Sequence, residues 1–96
     1  MRKITKESVK AFFNNYNYSK NNTFVNDNKF YLHHNLIAEK KNNKLYICNC
    51  GWFSNTTKER LNGILTHIGH AGIYQKNFSW FLDGEKWDGH KTEIKL

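Results

Sequence analysis

Apolar side chains near the start of the chain recur at the spacing of a helix. Thr5 stands where its hydroxyl can cap the first turn, and the Asn-rich stretch 17–22 reads as a loop. Between them, four apolar side chains follow the i, i+3, i+4, i+7 pattern of one helical face: Val9, Phe12, Phe13 and Tyr16. The pattern predicts an N-terminal helix that begins near Thr5 and packs this face into the core.

In the middle of the chain, apolar and polar positions alternate with the period of a strand. Short alternating runs separated by Asn- and Lys-rich turns are typical of antiparallel hairpins. The runs cover residues 23–25, 29–33, 36–40 and 44–50. We therefore predict an antiparallel meander of three to four strands.

A second helical pattern follows the meander. Thr56 and Glu59 have the spacing of a capping box, in which the hydroxyl caps the helix and the carboxylate reaches back. The buried stripe is then expected to contain Leu61, Ile64, Leu65 and Ile68. The pattern predicts a helix that begins near Thr56.

The last third of the chain predicts a C-terminal β-hairpin. Residues 73–76 and 79–82 have strand patterns, and Asp83-Gly84 is a strong turn signal that returns the chain through residues 85–87. The tail from about residue 90 is expected to be flexible. The complete prediction is one α+β domain, residues 1–96, with the element order α-β-β-β-β-α-β-β.

The charge of the chain favours a polyanionic partner. Fifteen Lys and Arg stand against eight Asp and Glu, which gives a formal net charge of +7. The first sixty residues hold eleven of the basic and four of the acidic side chains, so this part carries the whole excess. A solvated, soluble surface is the alternative interpretation.

The basic side chains form groups around the predicted helices and one turn. With aromatics interleaved, they offer neutralisation of phosphates and stacking on bases, so we expect binding to nucleic acid or a nucleoprotein. The candidate contacts are Arg2, Lys3, Lys6 and Lys10 near the first helix, Lys40, Lys41 and Lys44 at a hairpin turn, and Lys58 and Arg60 at the second helix.

Metal binding and catalysis have weaker support. Cys48, Cys50, His67 and His70 form a zinc-type ligand set, but a single residue between two cysteines on a strand is poor zinc spacing. We therefore predict neither a metal site nor a cofactor. Phosphate-binding loops, nucleophile elbows and paired-carboxylate motifs are absent from the sequence, so a non-enzymatic protein is expected, with a small nuclease as the alternative.

The chain contains no apolar run of the roughly 18 residues that span a bilayer, and its N-terminus lacks an apolar signal core. We therefore expect no membrane partner and a cytoplasmic location.

One part of the sequence resembles small proteins of tailed bacteriophages. The matching segments are NCGWFSNTTKERLNGIL at 49–65, IYQK at 73–76 and FLDGEKWDG at 81–89. Shared features are a tryptophan, separated by three residues from a Thr-Thr pair that opens a helix (W-x(3)-TTKERLNG), and a Trp-bearing C-terminal hairpin. No residue roles come with this resemblance.

The resemblance implies an early phage protein in the cytoplasm of an infected bacterial host. Such proteins often inhibit the host or its antiviral defence, in the manner of anti-CRISPR proteins. The alternative function is therefore direct docking on a host protein. Aromatic side chains that escape the core would form that interface: Trp52, Phe53, Trp80 and Trp87.

Overall fold

The structure, a computed structural model, describes residues 2–96. Within them the chain forms two helices, α1 (Lys3–Phe13) and α2 (Asn55–His67). It also forms nine strands: β1 (Tyr18–Lys20), β2 (Thr23–Asn26), β3 (Lys29–Leu32), β4 (Asn35–Lys41), β5 (Lys44–Ile47), β6 (Tyr74–Lys76), β7 (Ser79–Leu82), β8 (Glu85–Lys86) and β9 (Thr92–Lys95). The predicted α+β class is confirmed.

Six strands form one antiparallel sheet in the order β1-β2-β3-β4-β5-β9. Its centre is the predicted meander, whose β4–β5 turn places Asn42 and Asn43 at positive φ, as tight hairpin turns require. Two strands were not predicted. β1 forms within the stretch interpreted as a loop, and β9 forms within the tail expected to be flexible.

The two faces of this sheet have different surroundings. On one, here called the closed face, residues such as Val25, Phe30 and Leu45 are fully buried. Helix α1 packs there, with the ring centroids of Phe12 and Phe30 5.7 Å apart. The other face, here called the open face, leaves the Phe24 side chain 43% exposed. By strand alternation the open face comprises Ser19, Phe24, Asn26, Lys29, Tyr31, Leu36, Glu39, Lys41, Lys44, Tyr46, Glu93 and Lys95.

The remaining strands form a small sheet, β6-β7-β8, beside α2. Asn62 fixes this position, because its Nδ2 donates to the Ile73 carbonyl at 3.0 Å and its Oδ1 accepts from the Ile73 amide at 2.6 Å. The predicted Asp83-Gly84 turn joins β7 to β8, with both residues at positive φ. The predicted C-terminal hairpin is thus part of a three-stranded sheet.

Both helix starts differ from the predicted ones. Helix α1 begins at Lys3, so Thr5 lies inside it and is buried instead of capping it. Helix α2 is capped by Ser54, whose Oγ accepts from the Thr57 amide at 3.1 Å. The capping box at Thr56 is therefore wrong, and this frees Glu59 for the contacts described below. Within residues 2–96, neither helix has the length and apolar character to cross a membrane.

Candidate nucleic-acid interface

The predicted basic residues do not share one surface. Arg2, just before α1, and Lys3, Lys6 and Lys10, within it, are exposed on the helical side of the molecule. Lys41 and Lys44 instead lie on the open face. The sequence-based basic face is therefore divided between two sides of the sheet.

Arg60 does not lie on the surface at all. It is 0% exposed, because a helix that begins at Asn55 turns Thr57, Arg60 and Ile64 towards the core. Its Nη1 donates to Thr5 Oγ1 at 2.7 Å, and its Nε donates to Thr23 Oγ1 at 3.2 Å. The assignment of Arg60 to a nucleic-acid contact is wrong, and its role is to join α2 to α1 and β2.

Glu59 supplies the negative charge beside this buried guanidinium. Its Oε1 accepts from Arg60 Nη1 at 2.6 Å and from the Thr5 hydroxyl at 2.8 Å. Burial raises the pKa of Glu59, but the Thr5 hydrogen bond, the Arg2 amide and the charges of Arg2 and Arg60 outweigh it, so the pKa lies below its usual value. Arg60 Nη2 is buried without a hydrogen-bond partner, so the guanidinium is not completely satisfied.

Lys40 and Lys58 are half-buried and already engaged by neighbouring side chains. Lys40 Nζ lies 5.1 Å from the centroid of the Phe12 ring and donates to Asn15 Oδ1 at 2.8 Å. Burial lowers the pKa of Lys40. Lys58 Nζ lies 5.9 Å from the centroid of the Trp80 ring and donates to Gln75 at 3.2 Å. These two lysines are less available to a phosphate than the sequence indicated.

A row of lysines crosses one end of the open face. Lys41 lies directly opposite Lys44, and Lys44 lies directly opposite Lys95. Like charges at opposed positions of neighbouring strands are destabilising. Lys44 Nζ has a carboxylate nearby, Glu93 Oε1 at 3.7 Å. The lysine row (Lys41, Lys44 and Lys95) therefore concentrates positive charge at this end of the sheet.

Aromatic rings lie on the same face as the lysine row, but only Tyr46, two residues from Lys44 on β5, is close to it. Phe24 and Tyr31 form a cross-strand pair with ring centroids 5.8 Å apart. Further along, Lys91 Nζ lies 5.0 Å from the centroid of the Tyr46 ring. The open face also carries two carboxylates, of which Glu39 lies 4.0 Å from Lys29 Nζ and Glu93 faces Lys44. Positive charge exceeds negative charge on this surface.

The four aromatic residues predicted for a protein interface differ in exposure: two are exposed and two are buried. Trp52 is 57% exposed and Phe53 is 55% exposed, as such an interface requires. Trp80 and Trp87 are buried, so their assignment to the interface is wrong. Trp80 and Leu82 both lie on the inner side of β7. The Trp80 ring stacks on that of Trp87, with ring centroids 6.4 Å apart.

The weak metal candidates do not converge. His67 stacks on Phe13 with ring centroids 4.3 Å apart, whereas His70 Nε2 lies 3.1 Å from Asp83 Oδ1. Cys48 and Cys50 contact each other after β5. In the part of the chain that the structure describes, no group of three or more His, Cys, Asp or Glu side chains could hold a metal ion.

Sequence reasoning missed Lys91 and Lys95, both in the tail expected to be flexible. Strand β9 pairs with β5 and brings this segment against residues nearly fifty positions earlier in the chain. A signal was present, since Thr92–Lys95 alternates around the buried Ile94. Four residues of alternation are too few to identify a strand from the sequence alone.

Comparison with known proteins identifies a family for this chain. Residues 1–94 match the family model described as Kyanoviridae Gp96 protein. No curated protein and no solved structure matches significantly. The family match covers nearly the whole sequence and supports the phage origin that the segments at 49–89 indicated. The chain is a bacteriophage protein and belongs to the Kyanoviridae Gp96 family.

Proposed function

We propose that this phage protein binds single-stranded nucleic acid, free or within a nucleoprotein, on the open face of its six-stranded sheet, and that it acts without catalysis. The observation that carries the proposal is that one face of the sheet presents both the lysine row and partly exposed aromatic rings, Tyr46 near the row and Phe24 with Tyr31 at the other end of the strands. Stacking surfaces and a cationic track are the two requirements of single-strand binding.

The charge arrangement supports an anionic partner at this place. Lys41, Lys44 and Lys95 stand about one strand spacing apart, roughly 5 Å, so each repels the next. Phosphates placed along the row would relieve that repulsion and release counterions from the nucleic acid.

The aromatic side chains support a single strand in preference to a duplex. Bases in a duplex are stacked on one another and expose no ring face, whereas unpaired bases can stack on protein aromatics. Phe24 is the most exposed ring on the open face. Lysines, which are thirteen of the fifteen basic residues, favour backbone contact over bidentate reading of bases. We therefore expect weak dependence on base sequence.

The test is fluorescence anisotropy with labelled single-stranded DNA and RNA oligonucleotides over a range of salt concentrations. We expect affinity to fall steeply with salt, and Phe24→Ala to weaken binding by roughly 5- to 100-fold through lost stacking. The double variant Lys41→Gln/Lys95→Gln should reduce the slope of log K against log salt by about 1.4, since each single-strand phosphate contact contributes roughly 0.7.

The matched control removes the same charge from the helical side. Lys6→Gln/Lys10→Gln on α1 should leave the salt slope unchanged. If both double variants change the salt slope equally, binding depends only on the net charge of the protein and not on the open face. If a duplex binds as tightly as a single strand, the aromatic rings do not act by stacking on bases. Gel electrophoresis of the same oligonucleotides should show them intact. Cleavage would favour the nuclease alternative.

A second candidate function is docking on a host or antiviral-defence protein through Trp52 and Phe53. Two adjacent aromatics, each more than half exposed, favour it because aromatic anchors dominate protein interfaces. Phe53 packs edge-on against Trp80, and the Lys58 ammonium lies near the same indole. The partner expected is therefore a protein with an apolar pocket bordered by acidic side chains.

This candidate is tested by affinity capture from nuclease-treated host lysate, followed by binding measurements on the purified captured protein. Trp52→Ala/Phe53→Ala should weaken that interaction at least about tenfold, the usual effect of removing an anchor. The open-face variant Lys41→Gln/Lys95→Gln should bind the captured protein normally. If the lysine variant loses binding to the captured protein and the aromatic variant keeps it, Trp52 and Phe53 do not form the docking surface.

A further inference from the structure

Two thiols lie next to each other just beyond β5. The sulfur atoms of Cys48 and Cys50 are 2.9 Å apart, and each lies 3.2 Å from the Leu36 carbonyl oxygen. Both cysteines are free, with Cys48 half-buried and Cys50 exposed. Their contact is close enough for a hydrogen bond between the two thiols.

The backbone brings the sulfurs together by leaving the strand conformation. Residues two apart on a regular strand have Cα atoms separated by roughly 6.6 Å, near the upper end of the range for a disulfide. Here Cys50 has φ +53° and Gly51 has φ +85°, so the chain reverses immediately after Asn49. The reversal turns the Cys50 side chain back towards Cys48.

Asn49, the residue between the two cysteines, anchors the reversed segment. Its side chain is buried, and its Oδ1 accepts from the Gly51 amide at 2.9 Å. Its own amide donates to the Gly89 carbonyl at 3.0 Å, and its carbonyl accepts from the Trp52 amide at 2.9 Å. Because Asn49 makes three hydrogen bonds, the backbone on either side of it is fixed, and this fixes the positions of the two thiols.

We propose that Cys48 and Cys50 are a modification site: a dithiol that a low-molecular-weight disulfide, such as oxidised glutathione, converts reversibly into an intramolecular disulfide. A disulfide bond of about 2.05 Å requires the sulfurs to approach by less than roughly 1 Å. The function proposed for the open face is independent of this site.

The conversion is a two-electron oxidation by thiol–disulfide exchange. The Cys48 sulfur, after losing its proton to solvent, attacks one sulfur of oxidised glutathione, forms a mixed disulfide and expels one glutathione thiolate. The Cys50 thiol then loses its proton and attacks the Cys48 sulfur, which breaks the mixed disulfide and expels the second glutathione. The two protein sulfurs are oxidised, and one glutathione disulfide is reduced to two thiols.

The order of attack follows from the surroundings of Cys50. Although the residue as a whole is exposed, partial burial of its sulfur, the hydrogen bond with Cys48 and the charge of Cys48 raise the pKa of Cys50 to about 12, so it remains a thiol at neutral pH. The first attack therefore falls to Cys48. Once Cys48 is in the mixed disulfide its charge no longer opposes ionisation of Cys50, and the second step can follow.

The disulfide should be readily reduced again. It would close a loop of only three residues, so it would gain little of the chain-entropy stabilisation that a long loop provides. Cys50 is exposed, which gives an attacking thiol access to the bond. Exposed disulfides of this kind are the labile ones and not the structural ones.

The experiment equilibrates the reduced protein in glutathione redox buffers, traps remaining thiols by alkylation and measures the intact mass. With excess oxidised glutathione, we expect both alkylation sites to disappear together and the mass to fall by two hydrogen atoms. The internal disulfide should exceed the glutathione adduct at least about tenfold, because the second thiol has a high effective concentration. Cys48→Ser and Cys50→Ser should each accumulate the adduct instead.

Three results would overturn the proposal. They are persistence of two alkylatable thiols in the wild-type protein, dominance of its glutathione adduct, and formation of dimers linked by disulfides. The wild-type titration is decisive without any substitution, and circular dichroism establishes that the two serine variants remain folded.

Discussion

The closed and open faces of the six-stranded sheet are built from the same strands but differ in how their charged side chains are surrounded. On the closed side, the buried guanidinium of Arg60 has a carboxylate and two hydroxyls around it. On the open side, Lys41, Lys44 and Lys95 oppose one another across three strands. Buried charge must be compensated for the chain to fold, whereas exposed repulsion costs little and remains available to a ligand. The comparison predicts that stability resides on one face and binding on the other.

The largest effect is expected from Arg60→Ala. It leaves Glu59, Thr5 and Thr23 without their shared donor and opens a cavity, so we expect a loss of about 3–5 kcal/mol in the free energy of unfolding. Urea unfolding followed by tryptophan fluorescence measures it. Lys10→Ala, an exposed change on α1, should stay within about 0.5 kcal/mol of the wild type. If the two variants differ by less than about 1 kcal/mol, the buried guanidinium does not stabilise the closed side.

A second prediction concerns the seam between β5 and β9, where Asn49 is buried. Gly89 has φ +88°, and a Cβ there would overlap the Asn49 side chain. Gly89→Ala should therefore cost about 2–4 kcal/mol from backbone strain and overlap together. Gly84 also has positive φ, +80°, but open space around it, so Gly84→Ala should cost only about 1 kcal/mol. Thermal unfolding compares the pair, and equal losses would show that the seam is not tightly packed.

Acid should weaken the closed side through Glu59. Its pKa is depressed in the folded protein, so its contribution is present above the unfolded pKa and is lost as the pH falls through the folded pKa. Glu59→Gln should cost about 1 kcal/mol at pH 7, and its deficit should shrink in acid. Glu39→Gln on the open face should change stability by less than about 0.5 kcal/mol. Urea unfolding at neutral and acidic pH measures both variants. A stability loss of Glu59→Gln that does not change with pH would contradict a depressed pKa for Glu59.

The smallest effect, and the one that separates the two faces most directly, is Lys95→Glu. It replaces repulsion from Lys44 by attraction, so we expect a gain of about 0.5 kcal/mol at low salt that disappears at high salt. Oligonucleotide affinity should fall at the same time. Lys20→Glu on β1, where the opposite residue is Thr23, should give no such gain. Improved stability with unchanged oligonucleotide binding would place the nucleic-acid site elsewhere.

Local patterns were sufficient for the α+β class, both helices and the meander. Val9 and Phe12 follow a helical period, and Asp83-Gly84 forms the turn that its composition favours. Such signals lie within a few neighbouring residues and can be identified without tertiary structure.

The rest depended on contacts between distant residues. Arg60 shares a helical face with Ile64, but its partners Thr5 and Thr23 lie 55 and 37 positions away. The spacing to Ile64 alone does not distinguish it from a surface arginine at the border of an apolar stripe. Lys95 joined the lysine row through β9, and Trp80 was buried because of the side of β7 on which it lies. Charge and aromatic content therefore indicated the kind of surface but not all its members.

The pairing of β9 with β5 also sets an order of assembly. The meander has contacts between near neighbours in sequence and can form early in synthesis, whereas residues 92–95 emerge later and must close a long loop to reach residues 44–47. Until then β5 presents an unpaired edge, where other chains can add. The step that seals this edge also delivers Lys95, so the cationic surface is completed only when folding is.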